Sequence, residues 1–201
     1  MAIVFVSYRH EDSGGYAGWI ADRLQERFGE DNVFRDIDSL RGGLSFEEVL
    51  DQQLARATVV VAVIGKQWAT ITDDKGHRRL QAHDDWVRRE VEEGLGRKIP
   101  VIPVLVGGAA LPKRDDLPSS LQGLLKMQAV ELRDGRSWAT DLELLVRDID
   151  SSRRWLRDKR LWVALLLLLL LTSAIGLYLH WPLSPPLTTN PSPTSWIGST
   201  L

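Results

Sequence analysis

Apolar residues recur along the first 150 positions in two alternating styles, short β-rich runs and longer stretches with helical spacing. The run AIVFVSY reaches Ser7, and residues 16–28, YAGWIADRLQERF, repeat their apolar positions at helical intervals, so a strand and then a helix are predicted. NVFRD reads as a second short strand. The loop DIDSLRGG follows it, then a helix from Ser45, where Glu47 and Glu48 supply acidic first-turn residues. TVVVAVI has no polar residue after Thr58, as expected of a strand buried on both faces. A helix over residues 83–95 comes next. It is followed by IPVIPVLV as a fourth strand, a Pro-rich stretch with no marked element, MQAVEL as a fifth strand, and a last helix from about Ser137. The alternation predicts an α/β fold in which one open five-stranded parallel sheet carries helices on both faces. No internal repeat is visible in the chain.

The helix at residues 83–95, HDDWVRREVEEGL, contains one residue out of place. Advancing about 100° per residue from Trp86, Val87, Val91 and Leu95 fall at roughly 100°, 140° and 180°, and Glu90 falls at roughly 40°, inside the same apolar arc. Asp85, Arg88, Arg89, Glu92 and Glu93 fall on the opposite half, where a solvated face belongs. A carboxylate facing the core needs a partner or a task.

Composition narrows the tasks available. The 201 residues include no cysteine, which excludes a disulfide scaffold and any thiolate metal site, and the four histidines show no metal-ligand spacing. No metal site is expected; of Glu90, Glu92 and Glu93 only the first faces inward. Residues 1–150 carry 20 Lys and Arg against 26 Asp and Glu, a balance that argues against nucleic acid as a partner. Open parallel sheets bind ligands beyond the carboxyl ends of their strands, so the loops SYRHEDSGG, RDIDSLRGG and GKQW are the ones to inspect. None holds a GxxxxGK[ST] or GxGxxG pattern, which leaves nucleoside triphosphate hydrolysis and dinucleotide redox chemistry without a motif. A phosphorylated receiver would need an acceptor Asp at the end of the third strand, where this chain has VIGK.

From Leu161 onward there is no charged residue, and residues 161–181 read LWVALLLLLLLTSAIGLYLHW. At about 1.5 Å per residue this stretch matches the roughly 30 Å hydrocarbon core, so a C-terminal transmembrane helix is predicted. Trp162, Tyr178 and Trp181 stand where interfacial aromatics belong. Arg153, Arg154, Arg157, Lys159 and Arg160 precede the span and nothing basic follows it. The positive-inside rule then predicts a single-pass protein of the inner membrane with its N-terminal domain cytoplasmic. The expected organisation is a domain at 1–150, a basic juxtamembrane segment at 151–160, the span at 161–181, and a disordered Pro/Ser/Thr-rich tail at 182–201.

Three stretches, VFVSYRHEDS, VFRDIDSLRGG and DDWVRREVEEGL, at this spacing and on this βα pattern, resemble the bacterial branch of the Toll/interleukin-1 receptor (TIR) domains. The resemblance covers about residues 1–150 and implies a flavodoxin-like sheet. It also implies, as in many members, hydrolysis or cyclisation of NAD at the nicotinamide–ribose bond, with NAD as substrate and no separate cofactor. The family's catalytic acid is a glutamate in a W-x-x-x-E setting on the helix after the third strand, which Trp86 and Glu90 match. Similarity further suggests that Tyr8, Arg9 and His10 line the cleft, with Arg9 a diphosphate partner and Phe34 and Trp86 near the substrate. Some NAD-cleaving relatives have a second arginine where this chain has His10, which puts substrate affinity and the choice between linear and cyclic product in question. The loop Asp36 to Gly43 is implied as a contact for self-association with other TIR domains.

Several readings stay open on sequence alone. Glu90 is either the acid of the reaction or the partner of a buried base such as Arg9. Asp36 and Asp38 read as local partners of loop backbone, and Gly42 and Gly43 as conformational residues. Trp19, Trp68 and Trp138 read as core or domain-edge aromatics. The leading expectation is a membrane-anchored, NAD-consuming enzyme activated by self-association, with antiphage defence its setting by family analogy. The competing expectation is a non-catalytic TIR adaptor that recruits other TIR domains.

Overall fold

The computed structural model describes residues 3–35 and 46–179, without the side chains of 46–50, 153–168, 174 and 176–179. The Asp36 to Gly43 loop and the tail from residue 182 lie outside the described residues. The chain divides into two compact units, the first ending at Arg157 and the second beginning at Asp158.

The first unit holds β1 (Val4–Ser7), α1 (His10–Phe28), β2 (Val33–Arg35), α2 (Phe46–Arg56), β3 (Val59–Ile64), α3 (Trp86–Gly96), β4 (Val101–Val106), β5 (Val130–Leu132) and the start of α4 (Trp138–Leu179). The strands form one parallel sheet in the order β2-β1-β3-β4-β5. The chain therefore reverses direction across the sheet between β1 and β3, the place where such folds open a crevice.

Strand parity builds the two cores. Val4 and Val6, with Val59, Val61 and Val63 and with Ile102, Val104 and Val106, face Ala17, Ile20 and Leu24 of α1 and Leu142, Leu145 and Ile149 of α4. Phe5, with Val60, Ala62 and Ile64, faces Leu54 of α2, Val87 and Val91 of α3, and Leu121 and Leu124. Period-2 alternation with both faces apolar produces uninterrupted runs such as β3.

The described elements differ from the expected ones in three respects. The first helix begins six residues early, at His10, and crosses a non-helical Ser13 (φ −138°, ψ 15°) before its regular portion. The Pro-rich connection between β4 and β5 is built from 3-10 turns, Arg114–Asp116 and Ser119–Lys126, so the sheet is covered there by Leu121 and Leu124 without an α-helix. β2 and β5 are three residues each, shorter than the runs that announced them.

The expected transmembrane helix finds no support among the described residues. The backbone is helical through Leu179, yet among the described residues no helix is long and apolar enough to cross a membrane. Much of 161–181 lies outside the residues whose side chains are described. Within the second unit Leu169, Leu170, Leu171 and Ile175 are exposed.

Candidate functional site

β1 and α3 create the site between them. Because Val4 and Val6 face α1, the alternation of the strand aims Phe5 and Ser7 at the opposite face, where α3 lies. Ser7 is the last residue of β1, paired in register with Ala62, so its hydroxyl sits at the carboxyl edge of the sheet beside the reversal point. It donates a 2.6 Å hydrogen bond to Oε2 of Glu90. Both residues are buried, Glu90 at 6% exposure, so the wheel placed this carboxylate correctly. Gly94, one turn later on the same helix, lets α3 approach the sheet; a Cβ there would lie 3.1 Å from Val60 and Val101.

Two residues past Ser7, Arg9 makes a second tie to the same helix. Its Nη1 and Nη2 donate to the two carboxylate oxygens of Asp85, each at 3.0 Å, and the pair is almost wholly removed from solvent. Asp85 is also the N-cap of α3, accepting from the Arg88 backbone N–H at 2.9 Å. The wheel put Asp85 and Arg88 on the solvated half, and both are buried. Asp85 precedes the first helical residue, so its direction is set by the cap and not by the helical period. Arg88 is covered by the 3-10 turn Arg79–Gln81: its Nη1 donates to the Gln81 carbonyl at 2.8 Å and its Nε to Glu92 at 2.6 Å.

The ion-pair network extends outward. Arg79 donates to Glu11 at 2.8 Å and lies 3.7 Å from Asp85, which links the first turn of α1 to the start of α3. A backbone N–H bond and the Arg79 guanidinium hold the Glu11 carboxyl below its ordinary range. On the other side of the reversal point the loop after β3 is closed from within. The Asp12 carboxylate accepts from the backbone N–H of Gly65 at 2.8 Å and of Gln67 at 2.7 Å.

The residues expected around Glu90 are only partly gathered. Trp86 lies one turn before it and Phe34 is in register with Phe5, and both are half-buried against the same core. Arg89 stacks over the Trp86 ring at 4.7 Å and Arg56 over Phe34 at 5.7 Å. Tyr8 has the opposite parity to Ser7 and packs on the α1/α4 side. His10 is exposed as the first residue of α1. Arg9 is inside the fold, bound to Asp85. A cleft of about 680 Å³ does open at the start of α3, lined by Trp86, Asp85 and the segment from Asp73 to Asp84. A second, of about 350 Å³, lies at the ends of β3 and β4 between Asp12, Tyr16, Lys66 and Gly107. Among the described residues no His, Asp and Glu cluster could hold a metal ion.

Sequence reasoning missed Ser7 as a partner and Asp85 as an anchor. Both had a signal: strand parity aimed the first at α3, and an aspartate immediately before the first residue of a helix is a cap.

What this arrangement can do follows from its polarity. The Ser7 hydroxyl donates to the Glu90 carboxylate, and an anion fixed in a low-dielectric setting stabilises a neighbouring positive charge.

Comparison with known proteins agrees with this architecture. The family model described as TIR domain matches residues 4–146. Among solved structures the chain is similar to the TIR domains of the activated Roq1 resistosome directly recognizing the pathogen effector XopQ. The TM-score is 0.52 at 18% identity, over 73% of this chain and 98% of that one. It is also similar to the TIR domain of the Toll-related receptor TRR-2 from Hydra magnipapillata, with a TM-score of 0.50 at 16% identity, over 75% of this chain and 99% of that one. No curated protein matches.

Proposed function

Because this chain belongs to the TIR domain family, we propose that it is an NAD-cleaving enzyme that breaks the nicotinamide–ribose bond and releases linear or cyclic ADP-ribose. The observation that carries this reading is Glu90, a buried carboxylate one turn after Trp86, at the carboxyl edge of the sheet and bonded to Ser7. Nicotinamide leaves a cationic ring as a neutral molecule, so the reaction needs no general acid of the kind most glycosidases require. It needs a fixed anion beside the developing oxocarbenium ion, and Glu90 supplies one. Phe34 and Trp86, on the same face, are the apolar walls for the substrate. With Arg9 committed to Asp85, its part is to hold the site together.

The enzyme is anchored, in this proposal, by the span at 161–181 in the inner membrane with the TIR domain in the cytoplasm, and is activated by self-association through the Asp36 to Gly43 loop. The basic residues at 153–160 and the exposed Leu169, Leu170, Leu171 and Ile175 support an anchor. Antiphage defence by NAD depletion is the setting such an enzyme suits. A tail epitope cut by external protease on intact cells is the expected sign of this orientation, and cleavage only after lysis overturns it.

One observation favours the alternative, a TIR scaffold without activity: the arginine expected to meet the diphosphate is enclosed in the fold. The deciding experiment is incubation of the full chain, concentrated on lipid vesicles, with NAD, followed by chromatography of the products. Nicotinamide with ADP-ribose or its cyclic form is expected from the wild type and not from Glu90→Gln. Absence of turnover in the wild type selects the scaffold.

A further inference from the structure

We propose that Ser7 is the positioning residue of the Glu90 carboxylate, an inference that rests on reading Glu90 as the group facing the ribose. Ser7 stands where an apolar residue would do for packing alone. The rest of β1 is Val4, Phe5 and Val6, the register partner of Ser7 is Ala62, and Ser7 itself is 1% exposed. A hydroxyl buried there requires a partner. It finds Glu90, 83 positions away in the chain, at 2.6 Å.

The direction of this bond is informative. Serine has one proton to give, and it goes to Oε2 of Glu90, which acts as acceptor. A glutamate side chain has three torsions, and Cα placement alone leaves the carboxylate free to swing; a bond to one oxygen selects one orientation of its plane. The strand is a firm base for that bond, since β1 is paired on both sides, to β2 and β3.

The distance is also held from outside the bond. Arg9 and Asp85 span the same gap two residues later on the β1 side and five earlier on the α3 side. Gly94 sets how near α3 comes to the sheet. These two contacts leave Glu90 little freedom except about its own side-chain torsions, and it is on those that the Ser7 bond acts.

Ser7→Ala removes one oxygen from a buried site and leaves no clash, so the fold survives it. With the full chain on vesicles, kcat for NAD is expected to fall by about ten- to a hundredfold, the scale of one hydrogen bond to a charged group. KM should stay within about twofold and the melting temperature near wild type. Ser7→Thr keeps the donor and is expected to recover most of kcat. An unchanged kcat in Ser7→Ala overturns the inference, as does a parallel loss of kcat, raised KM and lowered melting temperature that threonine does not rescue. A crystal structure of Ser7→Ala decides the matter independently of turnover. Glu90 in a new rotamer supports a positioning role even if the wild type proves inactive, and Glu90 unmoved overturns it even if NAD cleavage is confirmed.

Discussion

Two carboxylates enter the interior at the start of the same helix, one before its first turn and one after, and they are held by different chemistry. Asp85 meets a guanidinium with both oxygens and caps the helix with the same group. Glu90 accepts a bond from a neutral hydroxyl. The first arrangement balances charge inside the fold; the hydroxyl bond to Glu90 adds no opposing charge of its own. The difference teaches how two carboxylates of one helix are tied to the same strand: a bidentate, charge-balanced contact fixes the start of α3, and a single hydroxyl bond reaches Glu90 further along it.

The largest effect should come from breaking the bidentate contact. Asp85→Ala strands the Arg9 guanidinium without its partner, a loss of about 3–5 kcal/mol for a buried pair, with about 1 kcal/mol more from the cap. Denaturant unfolding of the full chain should show the TIR domain far less stable than wild type. A midpoint equal to wild type would mean that Arg9 and Asp85 are not a structural pair, and the contrast would fall.

Glu90→Gln tests the other half. It keeps shape and hydrogen-bonding capacity but removes the charge, so stability should stay near wild type. NAD cleavage should drop a few hundredfold, on the order of 3–4 kcal/mol of transition-state stabilisation. If Glu90→Gln instead lowers the melting temperature as far as Asp85→Ala does while turnover survives, Glu90 is a structural residue.

A third carboxylate sharpens the comparison, because Asp12 is held by backbone N–H groups. A Cβ at Gly65 would lie 2.5 Å from an Asp12 oxygen, so Gly65→Ala must displace the carboxylate from its two donors. The expected cost is about 1–3 kcal/mol. The thermal unfolding midpoint should fall less than in Asp85→Ala, and an unchanged midpoint would show that this closure contributes nothing.

The smallest effect is expected at Asp141 near the start of α4, whose guanidinium partner is largely exposed. Arg133 donates through its side chain and its backbone N–H, and these bonds hold the Asp141 carboxyl below its ordinary range. A carboxyl with a depressed folded-state pKa stabilises the fold above its unfolded value and loses that contribution as pH falls through the folded one. The difference in melting temperature between wild type and Asp141→Asn should therefore be largest near neutrality and shrink in acid. A difference that does not change with pH would assign the effect to packing.

How far the sequence was readable depended on the scale of each signal. β1, β3 and β4 announced themselves because each buries both faces, and the full turns of α3 were legible because Val87, Glu90 and Val91 obey one period. The wheel failed at Asp85 and Arg88, where a cap and a covering 3-10 turn replaced the helical rule. The connection between β4 and β5 gave no periodic signal because 3-10 turns of three and eight residues are too short or too tight to produce one. The early start of α1 was hidden by Ser13, Gly14 and Gly15, residues that weaken a helical pattern without ending the helix.

Local pattern by itself determined the order of strands and helices, the apolar faces, and the inward place of Glu90, because those depend on residue spacing within one element. Which partner each buried charge would take was decided only by the tertiary structure. Arg9 and Glu90 were a plausible pair on paper, and the fold gave Arg9 to Asp85 and Ser7 to Glu90. That choice rests on the distance between a strand end and a helix start more than 70 positions apart in the chain, and residue spacing within either element carries no record of it.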